Sequence, residues 1–291
     1  MPLPWNEAYD EKSQTFHSLP ENSLDVIAYG SSHAFKGINT ARLNEVYGIS
    51  CYNYDWNWQK LNTIKTFIYD SLLSQKPKIA LIEAYTAGIV IEDMDLLPEV
   101  YYCRYLENGE YKDRYMKQCL GSHPTPERVL SYICPLAMFH DNWNSLTEQS
   151  FRELKQGADE ELLNNRGYSP SDSVIPIDIC GYDKDAQKPL PEESLAELDE
   201  IVDLCRKNDI IPVFYIVPWN EPYEYNDAMA SYAAANDCVF LDLSKDYEAV
   251  GLDGQSDYSD LDHLNTSGSD KVADYIGKYL TEDPRTASLL R

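Results

Sequence analysis

An α/β three-layer sandwich around one parallel sheet is the fold this sequence predicts, and three observations carry it. Short apolar runs rich in β-favouring residues recur at 24–29, 50–54, 79–85, 210–217 and 239–243. Segments of helical period lie between them, so strand and helix alternate as in right-handed parallel crossovers. The 291 residues, 43% hydrophobic and 12% aromatic, are enough to bury one large core. The expectation is a central parallel sheet of about five strands with helices on both faces.

Residues 1–23 are polar, with Glu, Asp, Ser and Pro, and read as an N-terminal arm outside the core. Leu24-Asp25-Val26-Ile27-Ala28-Tyr29 then reads as a central strand, stopped by Gly30, Ser31 and Ser32. Thr40 caps a short helix to Tyr47, and 50–54 is the second strand. A helix over 59–74 follows, with Leu61, Ile64, Ile68 and Leu72 on one face. The run 79–85 is the third strand. From 86 to 190 the rhythm fails, and this stretch of Tyr, Pro and charge reads as a helical and irregular insertion that shapes the site. Helices over 191–207 and 228–236 bracket the fourth strand, 210–217. A fifth strand at 239–243 precedes a last helix, capped by Thr266 or Ser267 and running through Leu280.

A formal charge of −25 repels phosphate backbones and anionic lipid, which argues against a nucleic-acid partner. No stretch reaches the roughly 20 apolar residues of a membrane span. The seven cysteines contain no Cys-x-x-Cys pair, so neither a zinc nor a redox motif is indicated. Cys51, Cys205 and Cys238 read as small hydrophobes, while pairing among the other four stays open. No cofactor signature is present. The acidic cluster Asp253, Asp257, Asp260 and Asp262 lacks the spacing and central glycine of a calcium loop, and no metal site is expected.

The chemistry sits at the two ends of the chain. Ligands of parallel sheets bind beyond the carboxyl ends of the strands, where Ser31 or Ser32 is displayed after Gly30. The other end carries Asp257-Tyr258-Ser259-Asp260-Leu261-Asp262-His263-Leu264-Asn265. Asp260, three residues before His263, can fold back to accept the imidazole N–H and leave the other nitrogen to take a serine proton. Asp262 is the competing orienter, with Asp242 and Asp257 behind it. The histidine pKa is expected near 6.5 if unperturbed, and higher if Asp260 dominates.

On Gly30-Ser31-Ser32-His33 and Asp260-Leu261-Asp262-His263 the chain resembles the SGNH (GDSL-like) hydrolases. It is most similar to the bacterial branch whose first block reads Gly-Ser-Ser-His, related to enzymes of polysaccharide O-acetylation. That resemblance implies a flavodoxin-like sheet and a triad of Ser32, His263 and Asp260, with Ser32, the third residue of the first block, as nucleophile. It implies an esterase or O-acyltransferase acting on acyl, typically acetyl, esters of a carbohydrate or cell-envelope polymer. A membrane-bound O-acyltransferase partner, and an extracytoplasmic, membrane-associated full-length form, follow from the same resemblance.

The sequence departs from that family at the oxyanion blocks. Asn53-Tyr54-Asp55-Trp56-Asn57 stands where a glycine is expected, and Glu83-Ala84-Tyr85 where an asparagine is expected. The Ser32 amide remains a donor, an amide near Asp55 offers a second, and Asn53 and Asn57 are side-chain substitutes. His33, Tyr85, His140 and Trp143 are candidate substrate contacts. His33 either touches the acyl group or packs beneath the loop, and Phe139-His140-Asp141-Asn142-Trp143 is either a sugar-binding cluster or a helix with a buried tryptophan. The missing oxyanion residues leave a second reading, a non-catalytic glycan- or protein-binding module of the same fold.

Overall fold

The computed structural model describes residues 7–89, 106, 109–120, 125–126, 129–130 and 159–290. The chain runs α1 (Glu7–His17), β1 (Val26–Tyr29), α2 (Ser32–Phe35), α3 (Thr40–Tyr47), β2 (Cys51–Asn53), α4 (Leu61–Ser71) and β3 (Ile79–Glu83). It continues through α5 (Glu110–Leu120), α6 (Glu160–Asn164), α7 (Glu192–Lys207), β4 (Ile211–Ile216), α8 (Asn226–Ala235), β5 (Val239–Asp242), α9 (Tyr247–Val250), α10 (Thr266–Glu282) and α11 (Pro284–Ala287).

The five strands form one sheet in the order β2-β1-β3-β4-β5, and every pairing is parallel. Alternating strand residues feed two cores, as both-face burial requires. Ile27, Tyr29, Ile82 and Phe214 face α4, α7 and α8 through Ile64, Phe67, Ile201 and Met229. Val26, Ala28, Leu81 and Tyr215 face α3 and α10 through Leu43, Val272 and Ile276. Helix, sheet and helix make the three layers. The chain leaves β1 in one direction to build β2 and returns across it to β3, so the β1/β3 boundary is the topological switch point, where open α/β sheets bind ligands.

Two helix starts differ in detail from the sequence expectation. Asn39 caps α3, accepting from the Arg42 amide at 3.1 Å, and Asn265 caps α10, accepting from the Gly268 amide at 3.2 Å. In each case the asparagine just before the expected threonine reaches the free amide.

The larger correction concerns residues 1–23, expected as an arm. Residues 7–17 form α1, and its Phe16 is fully buried, stacked on Tyr54 with ring centroids 3.8 Å apart. Polar pairs complete the docking: Lys12 with the buried carboxylate of Asp55, His17 with Asp70 at 2.7 Å, and the Asp159 amide on the Thr15 hydroxyl at 2.8 Å. A helix anchored by one aromatic and several polar pairs has no apolar stripe to read. Burial disfavours both charges of the Lys12–Asp55 pair, pulling the lysine pKa down and pushing Asp55 up.

Within the expected insertion, residues 166–182 lace together the loops at the carboxyl end of the sheet. The Ser169 amide donates to Phe35 O at 2.9 Å, Ile175 to Tyr258 O at 2.9 Å, Ile177 to Gly254 O at 2.8 Å, and Cys180 to Trp219 O at 2.7 Å. Cys51, Cys180, Cys205 and Cys238 are free thiols. No helix among the described residues is long and apolar enough to cross a membrane.

Candidate functional site

Where β1 ends, Gly30 lets the chain turn against β3. A Cβ on Gly30 would lie 2.5 Å from the Glu83 Cβ and 2.9 Å from the Ala34 Cβ, so a side chain there would push the strands apart. Beneath this turn the fully buried Glu83 carboxylate accepts the Ser31 hydroxyl at 3.0 Å, the Ser31 amide at 3.3 Å and, through its other oxygen, the Tyr85 amide. Burial, eased by these donors, pushes the Glu83 pKa up to about 7. The Ser31 hydroxyl also accepts the His33 amide at 3.3 Å and so caps α2. With Ser31 committed downward, Ser32 is the serine turned outward.

At the other end of the chain, a short hairpin presents His263. Its neck is the bridge Tyr258 to Leu264, with the Ser259 amide on His263 O at 2.8 Å. Asp260 Oδ1 accepts the Asp262 amide at 2.9 Å and the His263 amide at 2.8 Å, closing an Asx-type turn. The same carboxylate lies 2.9 and 3.0 Å from His263 Nδ1, while His263 Nε2 lies 2.7 Å from the Ser32 Oγ. A carboxylate at Nδ1 places the proton on that nitrogen and leaves Nε2 free to accept. Ser32, His263 and Asp260 therefore converge, the arrangement that the resemblance of the two blocks implies.

The alternative orienters are engaged or turned away. Asp262 is exposed, the Asp257 carboxylate holds Lys271 at 2.6 Å, and Asp242 accepts Asn226 at 2.8 Å. The hairpin is tied to the rest of the site by the Tyr258 hydroxyl, which donates to Pro218 O at 2.9 Å, just before Trp219.

Electrostatics set the protonation states. Burial, and then the Lys36 ammonium, pull the His263 pKa below its ordinary 6.5 against the opposing pull of Asp260. Asp260 does raise it, as its position suggests, but burial first and then Lys36, 3.8 Å from the 47% exposed Asp260 carboxylate, outweigh that pull and the net shift is downward. Burial would raise the Asp260 pKa, but the Asp262 and His263 amides and the imidazole outweigh it and hold the group below the ordinary carboxylate value. At neutral pH the pair is a neutral base beside an anionic orienter.

The oxyanion candidates separate. The Ser32 amide lies in the first turn of α2, where backbone N–H groups lack a helical acceptor. The Asn53 side chain does not serve: it is fully buried and its amide donates to Ile38 O at 3.0 Å. Asp55 is likewise buried, its carboxylate committed to Lys12. The next amide, Trp56, donates to Gly30 O at 3.3 Å, which sets this turn against the nucleophile loop. Asn57 is exposed in the same turn.

Of the substrate candidates, His33 is buried, stacked on Tyr85 at 4.1 Å, edge-on to Trp219 at 5.3 Å and 5.0 Å from the His263 ring. Burial and the neighbouring His263 pull its pKa down to about 3, so it is a neutral wall rather than a second base. Tyr85 is half-buried beside it, and His140 and Trp143 lie outside the described residues. The sequence reading missed Trp219, Lys36 and the role of Glu83. Glu83 alone left a signal, as the lone carboxylate closing a buried apolar strand. No protein-family model matches the chain, and no curated protein matches it at a significant level.

Proposed function

We propose that this protein is a serine-dependent acyl-ester hydrolase or O-acyltransferase of the SGNH type, working on acetyl or similar esters of a carbohydrate or cell-envelope polymer. The observation that carries the reading is the relay from the Ser32 Oγ to His263 Nε2 at 2.7 Å and from Nδ1 to Asp260 at 2.9 Å. The Ser32 Oγ attacks the ester carbonyl carbon while its proton passes to Nε2, and the new oxyanion is met by the Ser32 amide. The carbon–oxygen bond to the alcohol breaks, and that alcohol leaves with the proton from His263. Water, or a sugar hydroxyl, then gives its proton to Nε2 and attacks the acyl-Ser32 carbonyl, and the bond to the Ser32 Oγ breaks as that oxygen takes the proton back from His263. The carbohydrate acceptor, a membrane-bound acyl-donating partner and an extracytoplasmic setting rest on the family resemblance of the two sequence blocks.

The test is labelling by a fluorophosphonate with mass-spectrometric site mapping, together with acetate release from p-nitrophenyl acetate. Label on Ser32, and loss of both signals in Ser32→Ala, is the expected result. An unlabelled Ser32 with turnover unchanged in Ser32→Ala would overturn the enzyme reading. Complete inertness with retained glycan binding would favour the binding module, which the turned-away Asn53 side chain supports.

A further inference from the structure

Beyond the ends of β3 and β4, next to the rings that pack on His33, lies a groove of about 370 Å³. That falls within the range of roughly 300–1,000 Å³ in which small-molecule sites occur. Aromatic rings run along it in sequence: Tyr85 and Trp219 with centroids 5.1 Å apart, Trp219 and Tyr223 at 6.3 Å, Tyr223 and Tyr225 at 5.8 Å. The run begins at the wall of the serine site, because Tyr85 and Trp219 are the two rings packed on His33.

These rings are held before any ligand arrives. The Tyr223 hydroxyl donates to Ala84 O at 2.6 Å, and Trp219 O accepts the Cys180 amide at 2.7 Å. Tyr225 lies flush on Gly88, where a Cβ would come within 1.9 Å of its ring. A preformed aromatic strip loses little entropy on binding. Trp219 and Tyr223 are buried beneath the groove, while the half-buried Tyr85 and Tyr225 offer electron-rich ring surface that suits the weakly positive C–H face of a pyranose ring.

The charge of the groove narrows the ligand. Among the described residues its lining includes two carboxylates, Glu221 and Glu224, and no lysine or arginine. Glu224 is paired with Lys188 at 2.8 Å, while Glu221 is exposed at the rim. The Tyr85 phenol is pushed up first by burial and then by the negative charge of Glu83, Asp262 and Glu221, so the groove mouth lies in an anionic field. A uronate or phosphorylated sugar would meet that field unpaired.

We propose that the Tyr85–Trp219–Tyr225 groove is the subsite for the sugar ring next to the scissile ester, and that Glu221 makes it select uncharged or ammonium-bearing glycans over anionic ones. This deepens the proposed function and rests on it for the meaning of the neighbouring serine, but the binding itself is independent of turnover.

The test is titration calorimetry on Ser32→Ala protein, which cannot turn over, with three probes: a cello-oligosaccharide, a glucosamine oligosaccharide and an oligogalacturonate. At low salt, where surface charge is least screened, the first two should bind at least about tenfold more tightly than the third. Adding Tyr225→Ala should weaken the first two by about tenfold or more. Adding Glu221→Gln should narrow the gap between glucosamine and galacturonate probes. Equal affinity for all three, no binding by any, or indifference to Tyr225→Ala would overturn the proposal. The labelling of Ser32 is read separately, so an active serine with an inert groove is distinguishable from failure of the enzyme reading.

Discussion

Asp260→Asn isolates the charge of the orienting residue while sparing its geometry. Asn keeps an Oδ1 that can accept the Asp262 and His263 amides, at 2.9 and 2.8 Å in the native turn, so the hairpin should persist. What is lost is the attraction between a carboxylate and the imidazolium that forms when His263 takes the Ser32 proton. The contact distance is 2.9 Å and the Asp260 side chain is 47% exposed, so solvent screens it heavily. With an effective dielectric of about 40–80, Coulomb's law at that distance yields ~1.4–2.9 kcal/mol. This corresponds to a rate loss of about 10- to 100-fold, well short of the roughly 10⁴-fold loss that follows when an asparagine in this role enforces the wrong imidazole tautomer. The assay is kcat/KM for p-nitrophenyl acetate across pH, with a thermal melt as folding control. Removing an anion that favours the imidazolium also lowers the histidine pKa, so the acid limb of the profile, already expected below pH 6.5 from the depressed His263, should move to lower pH. A loss under about threefold, or an acid limb that moves upward, would refute the assignment of Asp260. A loss near 10⁴-fold would refute the Coulombic account and mean that Asp260 acts mainly by fixing the imidazole tautomer, a loss of roughly that size being the mark of the wrong tautomer.

Lys36→Met should move the same limb the other way, to higher pH, because the ammonium that depresses His263 is removed. Glu83→Gln should change how stability depends on pH. Because folding raises the Glu83 pKa from 4.5 to about 7, the folded protein binds more protons than the unfolded chain between those values, and stability falls as pH rises through that window. At about 1.36 kcal/mol per pH unit the full effect is ~3 kcal/mol. Urea titrations at pH 5 and pH 8 should show a smaller difference for Glu83→Gln than for wild type, and an identical difference would remove Glu83 as the source. Phe16→Ala should cost about 3–5 kcal/mol in urea unfolding, as for other fully buried aromatics. A cost under about 1 kcal/mol would mean that α1 does not belong to the core.

The sequence by itself determined the layered sheet and the pair of blocks that meet at its carboxyl edge. Strand runs such as 213–216 announce themselves through unbroken β-favouring apolar residues, and a glycine-serine stop after β1 follows from local backbone chemistry. Asp260 and His263 were legible because a three-residue spacing folds within one turn. What it could not determine were contacts whose partners lie far apart along the chain. Lys12 finds Asp55, Phe16 finds Tyr54, and Lys36 settles beside Asp260 more than 200 residues away, none of which leaves a periodic trace. The choice of Ser32 over Ser31 could be matched to a family block, but the physical reason for it is tertiary: the Glu83 carboxylate on a neighbouring strand captures the Ser31 hydroxyl. The direction of the His263 pKa was decided the same way, since burial and a cation brought in by folding outweigh the aspartate that the sequence places three residues away.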